Sequence, residues 1–257
     1  MRISIIGLGS VGTAALTVLK NFHSVTGYDI DGRGEWDSVI KSEIAMICVS
    51  TDAGDNGRLD MANIHSVVEL LSRDEYRGVV MVKSTLQPGT MDHIATTHPM
   101  LNISYVPEFL RERDAVEWFR NPDRIIYSAD EESAKKTLDC FEWVDEDIPR
   151  IRMAHLEAEF GKLAHNAFIA TKVTFTCEIE RIANARGIDA SAVMEVVWRD
   201  RRINNSAHLI PGRGGYAGKC VPKDTAALAA EDPDENSILH QLEKRGGESS
   251  VSNGVDD

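Results

Sequence analysis

The chain has 257 residues, 42% of them hydrophobic, and a formal net charge of −13. That length and apolar content support one large or two smaller globular domains and exclude a disordered chain. The acidity argues against nucleic acid or an anionic membrane as partner of the whole chain, and no apolar run is long enough to span a bilayer.

Residues 1–7 read as a strand entering a glycine turn rather than as a leader peptide. Gly7-Leu8-Gly9-Ser10-Val11-Gly12 follows, then an Ala/Leu-rich helix to about Asn21. Residues 24–29 predict a second strand ending in an acid. Residues 43–50, 78–82, 103–106 and 124–127 predict further strands, with helices at 63–72 and 132–140. Strands alternating with helices predict right-handed βαβ units, an α/β fold with a Rossmann-like, doubly wound parallel sheet.

The pattern changes near Arg152. Residues 155–186 contain no Pro and a single Gly, Gly161, and predict one helix of about 30 residues. Gly187 is expected to end it and Asp189 to cap the next helix. A helix this long needs a partner face from this chain or another subunit, so a homodimer through it is the expected assembly. The organisation predicted is a Rossmann-like domain over 1–152, an all-α dimerisation domain over 153–230, and an acidic tail over 231–257. From Gly246 the tail has the composition of disorder.

A lone GxGxxG is a weak signal. Here it follows a strand, opens a helix, and has Asp29 ending the next strand, 17 residues after Gly12. That context predicts a dinucleotide site. Gly7 makes the turn, Gly9 lets the backbone approach a pyrophosphate, and Gly12 allows close helix–strand packing. Asp29 would bind the adenine ribose hydroxyls and repel a 2′-phosphate, which favours NAD over NADP. Arg33 is of the type that serves NADP and leaves that alternative open.

The four cysteines, Cys48, Cys140, Cys177 and Cys220, are scattered and form no Cys-x-x-Cys pair. No metal site or disulfide framework is expected, and a cytoplasmic location fits. Cys48 lies in an apolar run and reads as core. Cys220 differs. The glycine-rich segment 214–219 delivers it to a helix start, with Pro222 in the first turn and Lys219 and Lys223 on either side. A thiol there is expected to have a lowered pKa and to act as a nucleophile, the alternative being an incidental Cys in a turn.

Three more clusters carry possible chemistry. Residues 83–90 (KSTLQPGT) follow the fourth strand, where the switch-point rule places ligand-facing groups. Glu108 and Glu112 are four apart in PEFLRE and would share a face of a helical turn. Glu159, Lys162 and Asn166 lie on the long helix, where Lys162 and Asn166 would point the same way and pair an ammonium with an amide at an oxyanion. For each, a solvated face with salt bridges is the alternative.

Taken in order, GLGSVG, KSTLQPGT, PEFLRE with NPDRI after it, residues 157–183, RRIN at 201–204 and GYAGKCVPKD at 215–224 resemble the UDP-glucose/GDP-mannose dehydrogenase family over about residues 1–230. The resemblance implies oxidation of a nucleotide-sugar C6 alcohol (UDP-glucose or GDP-mannose class) with two NAD in turn. Cys220 would capture the intermediate aldehyde as a thiohemiacetal, then carry a thioester that water releases. It implies that Lys162 and Asn166 hold the oxyanion and that Asp224 works with Lys162 in proton transfer. Thr85 and Glu112 would place the hydrolytic water, and Glu108 would lie near Lys162 and the substrate. It extends the cofactor set to Ser10, Val11, Thr51, Thr85 and Glu112. It extends the substrate set to Phe109, Leu110, Gly215, Lys223 and Arg202, the last reaching across a subunit contact.

The family has a third, C-terminal domain that grips the nucleotide, and this chain is expected to stop near the helix leading to it. A partner chain supplying that domain, a smaller substrate, or a degenerate enzyme would each account for this. Ser50-Thr51-Asp52 departs from the family's Pro-Thr-Pro-like turn, and Ala217 replaces a loop glycine. The alternatives to the dehydrogenase are a non-catalytic NAD-binding dimerisation module and a dehydrogenase of a small hydroxy acid.

Overall fold

The computed structural model describes residues 1–249, which fall into two compact units. The first comprises Met1–Asp52 and Leu59–Lys162; the second comprises Ala53–Arg58 and the chain from Leu163 onward.

The first unit is built on β1 (Arg2–Ile6), α1 (Ser10–Leu19), β2 (Ser24–Tyr28), α2 (Trp36–Ile40), β3 (Ile44–Ile47), α3 (Ala62–Arg73), β4 (Val79–Val82), α4 (Thr90–Thr97), β5 (Asn102–Tyr105), α5 (Ala115–Arg120), β6 (Ile125–Ala129), α6 (Glu131–Asp139) and β7 (Arg150–Arg152). The strands form one sheet in the order β2-β1-β3-β4-β5-β6-β7. β3 and β4 are buried along their whole length, as expected of strands covered on both faces. Met46 and Met81 pack with Ala15 and Val18 of α1 on one face; Ile47 and Val82 pack with Val68 of α3 and Ile94 of α4 on the other. This alternation follows from the two-residue period of a strand.

β1 to β5 are parallel, as the sequence predicts. β6 departs from the all-parallel expectation. It pairs antiparallel with β5, Ser104 opposite Ala129, and β7 runs parallel to β6. A short apolar run carries no signal of direction, and here the chain turns back after β5 instead of crossing over. As a result, the connection 106–124 both leaves and returns at the carboxyl end of β5. The strand order reverses between β1 and β3, so the loop after β1 lies at the switch point where open α/β sheets bind ligands.

The long helix α7 runs over His155–Arg186, the span that its freedom from Pro predicts. Gly187 follows at φ 67, a left-handed conformation that glycine adopts without strain. Asp189 then caps α8 (Ala190–Trp198), accepting the Ser191 N–H. In the second unit α9 (Val221–Ala229) packs on α10 (Ile238–Ser249). Arg58 from the short segment 53–58 pairs with Glu231 at 3.1 Å. α10 lies in the stretch set apart as a tail, where Ser237 to Lys244 is expected to be a remnant of the family's connecting helix; it continues to Ser249, past Gly246, where composition predicts disorder, and 250–257 lie outside the described residues.

Candidate active site

The loop after β1 is locked by backbone. Gly7 has φ 90, and a Cβ on it would sit 2.8 Å from the Cys48 carbonyl. A Cβ on Gly12 would sit 1.8 Å from the Gly7 carbonyl oxygen. Gly9 differs: a Cβ there would meet nothing within 4 Å. The face of Gly9 is therefore open to a ligand, which is what close approach of a pyrophosphate requires. Gly9, Ser10 and Glu112 line one open groove of about 570 Å³. Val11 packs into the core beside α1's buried face.

Asp29 follows β2 and is fixed by the Leu8 N–H, donated to its Oδ2 at 2.7 Å. Arg33 is held by acids: its guanidinium lies 2.8 Å from Asp31 and 3.3 Å from Asp29. Two carboxylates on one guanidinium leave it poorly disposed to a 2′-phosphate, so the residues present fit NAD.

At the carboxyl ends of β3 to β5, Thr51 is buried and Thr85 half-buried. Ser84 Oγ donates to the Val49 carbonyl at 2.7 Å, which ties the two segments together. Lys83 is almost fully buried. Its ammonium lies 3.0 Å from Glu108 Oε2, donates to the Val106 carbonyl at 3.2 Å, and faces the rings of Phe119 and Phe141 at 5.3 and 5.4 Å. The KSTLQPGT motif by itself gives Lys83 no role; only the fold shows that Glu108 is its partner. Glu108 and Glu112 do not share a helical turn as expected. Glu108 lies in irregular chain after β5, and Glu112 opens a one-turn 3-10 helix at Glu112–Asp114. Glu112 is exposed, while Glu108 is largely covered.

Phe109 lies beneath two cations, with Arg124 at 4.2 Å and Lys162 at 5.1 Å from its ring centroid. Lys162 is buried on α7, and an aromatic face is a favourable partner for a desolvated ammonium. Leu110 packs against the core. Glu159, three residues before Lys162, turns to another task. It is fully buried and accepts the N–H groups of Gly89 at 2.6 Å and Met91 at 2.8 Å, capping α4. Burial pushes its carboxyl up to about 7 against the pull of those donors.

In the second unit, Asn166 lies one turn further along α7. Its amide donates to Asp224 Oδ2 at 2.7 Å, and Lys223 holds Oδ1 at 2.8 Å. Asp224 is wholly buried in the first turn of α9 and has a partner on each oxygen, as a buried carboxylate requires. Cys220 is the residue that precedes α9, and Pro222 occupies the first turn. Cys220 is the exposed cysteine, whereas burial pushes the thiols of Cys48 and Cys140 up to about 12. Gly215 is half-buried in the approach to it. Arg202 sits in the turn after α8 with its guanidinium on both oxygens of Asp200, at 2.9 and 2.6 Å.

Among the described residues no group of His, Cys, Asp or Glu is placed to hold a metal, and no helix is long and apolar enough to cross a membrane.

Residues 35–144 match the NAD binding domain of the UDP-glucose/GDP-mannose dehydrogenase family, and residues 156–244 match its central domain. The chain is 31% identical over 281 residues to GDP-mannose 6-dehydrogenase of Azotobacter vinelandii, covering 89% of this chain and 64% of that protein. It is 30% identical over 309 residues to GDP-mannose 6-dehydrogenase of Pseudomonas savastanoi pv. phaseolicola, covering 100% of this chain and 70% of that protein. A UDP-glucose dehydrogenase structure from Pyrobaculum islandicum superposes with a TM-score of 0.83 at 28% identity, covering 95% of this chain and 68% of that one.

Proposed function

From the membership of this chain in the UDP-glucose/GDP-mannose dehydrogenase family, we propose that it is an NAD-dependent dehydrogenase that oxidises a nucleotide-sugar C6 alcohol to the uronic acid. The observation that carries the reading is the start of α9. An exposed Cys220 precedes the helix, and one turn on a buried Asp224 is held by Asn166 and Lys223.

The open face of Gly9 and the Asp29 carboxylate would hold NAD, and two NAD in turn would each accept one hydride, one for each oxidation. In the first, the alcohol loses a hydride and a proton and becomes the aldehyde. The Cys220 sulfur then adds to the aldehyde carbon. The carbonyl π pair moves to oxygen, where Lys162 and the Asn166 amide stabilise the developing charge. Collapse of this thiohemiacetal with loss of a second hydride gives a thioester. Water, placed by Thr85 and Glu112, adds to the thioester, the C–S bond breaks, and Cys220 leaves as the thiol or thiolate. Asp224 acts with Lys162 in the proton transfers. Glu108, Phe109, Leu110, Gly215, Lys223 and Arg202 contribute to substrate binding. Covalent capture explains how both oxidations proceed without release of a reactive aldehyde.

A homodimer through α7 accompanies this function. Phe168, Phe175 and Ile182 recur every seven residues along α7 and stand 62%, 43% and 48% exposed, a stripe of the kind that a second helix covers.

The test is stoichiometry. Two NADH per UDP-glucose or GDP-mannose consumed are expected, and Cys220→Ser should lower turnover by about a thousandfold or more. One NADH per turnover that survives Cys220→Ser would point to a simple alcohol or hydroxy-acid dehydrogenase. NAD binding without turnover of any nucleotide sugar would sink the proposal in favour of a non-catalytic module.

A further inference from the structure

The loop that delivers Cys220 runs through unusual backbone. His208 has φ 64, Gly212 φ 82, Gly214 φ 78 and Gly218 φ 83. The glycines adopt the left-handed region freely, which leaves the loop many other conformations as well. His208, with a side chain, is strained there by about 1–3 kcal/mol and keeps that conformation only if its surroundings impose it.

The restraint comes from the middle of α7. Glu180 Oε2 accepts the Gly212 N–H at 3.0 Å. Cys177 donates its thiol hydrogen to the Gly214 carbonyl at 3.0 Å. The Thr176 hydroxyl, shared with the Lys172 carbonyl at 2.9 Å, also reaches the His208 carbonyl at 3.2 Å. Residues 176, 177 and 180 lie on one side of a helix, so a single rigid element grips the loop at three points. Thr176 is buried and the other two are half-buried. Burial first, and the neighbouring Glu180 second, raise the Cys177 pKa, which keeps this thiol protonated and able to donate. Beyond these points the Tyr216 hydroxyl donates to the Leu242 carbonyl of α10. Cys220 follows Gly214 by six residues.

We propose that Thr176, Cys177 and Glu180 are positioning residues that clamp the glycine loop onto α7 and so fix where the Cys220 thiol is presented. The importance of the clamp to turnover rests on the function proposed above; its effect on the loop and on the thiol does not. Cys177 thereby has a role distinct from Cys220: it acts through its hydrogen bond and not as a nucleophile.

The experiment compares Glu180→Ala, Glu180→Gln and Cys177→Ala. The readouts are amide hydrogen exchange resolved by residue, peptide-resolved iodoacetamide alkylation of Cys220, and steady-state kinetics. Loss of a charge-assisted acceptor should speed exchange of the Gly212 amide about tenfold in Glu180→Ala, with α8 amides unchanged. Alkylation of Cys220 should change several-fold, and kcat should fall about tenfold or more while KM for NAD stays put. Glu180→Gln, which keeps an acceptor oxygen, should recover most of all three. Cys177→Ala should show the same pattern in weaker form, because a thiol is a weak donor. Exchange and Cys220 alkylation at wild-type rates in both alanine variants would overturn the clamp. If the wild-type protein turns over no nucleotide sugar yet the exchange and alkylation shifts appear, the functional reading fails and the clamp stands.

Discussion

Both glycine-rich loops use left-handed backbone, Gly7 in one and Gly212, Gly214 and Gly218 in the other, yet they are held in different ways. The loop after β1 is interlocked main chain against main chain: Gly12 against the Gly7 carbonyl, Gly7 against the Cys48 carbonyl. The loop before α9 is held by side chains, Glu180 on the Gly212 N–H and Cys177 on the Gly214 carbonyl. A loop that offers its own backbone to a phosphate gains from having no adjustable part. The loop before α9 depends on side chains outside itself, so single substitutions there can alter it by degrees.

The largest effect should come from breaking the first interlock. In Gly12→Ala the new methyl would sit 1.8 Å from the Gly7 carbonyl oxygen, so α1 must move off β1. A loss of about 4 kcal/mol or more is expected in urea unfolding, together with loss of NAD binding. A mild effect would mean that this loop is as adjustable as the other. Next comes Glu159, a side chain doing backbone service by capping α4. Its carboxyl is raised from 4.5 to about 7 by burial. A raised acid binds its proton more tightly folded than unfolded. Its contribution to stability is therefore complete below about pH 4.5 and is lost as pH climbs through about 7. That loss amounts to up to about 3 kcal/mol, and Glu159→Gln should flatten this slope in unfolding experiments across the window.

The same contrast decides what could be read from the sequence. The first loop is legible because its determinants are short-range: GLGSVG, a strand before it, and Asp29 ending the next strand. α7 is legible because Pro is absent from residues 155–186 and Gly187 closes it. The start of α9 is legible for the same local reason, Pro222 in its first turn. Contacts between side chains distant in the sequence leave no such mark. Lys83 and Glu108 are 25 residues apart, and nothing in either motif states that they pair. Glu159 reads as a neighbour of Lys162 by helical spacing, but its oxygens go to α4. Glu108 and Glu112 look helical by spacing alone, and the chain around them is irregular. The antiparallel β6 was hidden because hydrophobicity marks a strand without marking its direction.

On the side-chain-held half, Asn166→Ala removes the amide donor from Asp224 Oδ2 and leaves Lys223 on Oδ1 alone. An acceptor stripped of its partner in a fully buried place costs about 1–3 kcal/mol, so a loss of about 2 kcal/mol is expected in urea unfolding. A much smaller loss would mean that the pair adds little to the start of α9.

The smallest expected change in stability is also the sharpest test of the first loop. Gly9 has φ −72, which any residue can adopt, and a Cβ there meets nothing within 4 Å. Gly9→Ala should therefore change unfolding free energy by no more than about 0.5 kcal/mol, since the fold makes no use of the empty position. A bound dinucleotide would use it: a pyrophosphate drawn close to the backbone would meet the methyl group, and calorimetry should find NAD bound about tenfold more weakly. Gly12→Ala and Gly9→Ala, three residues apart in one motif, thus separate the glycine that the fold needs from the glycine that the ligand needs. Unchanged NAD affinity in Gly9→Ala would mean that the dinucleotide does not approach this loop, and the assignment of the cofactor to it would fall.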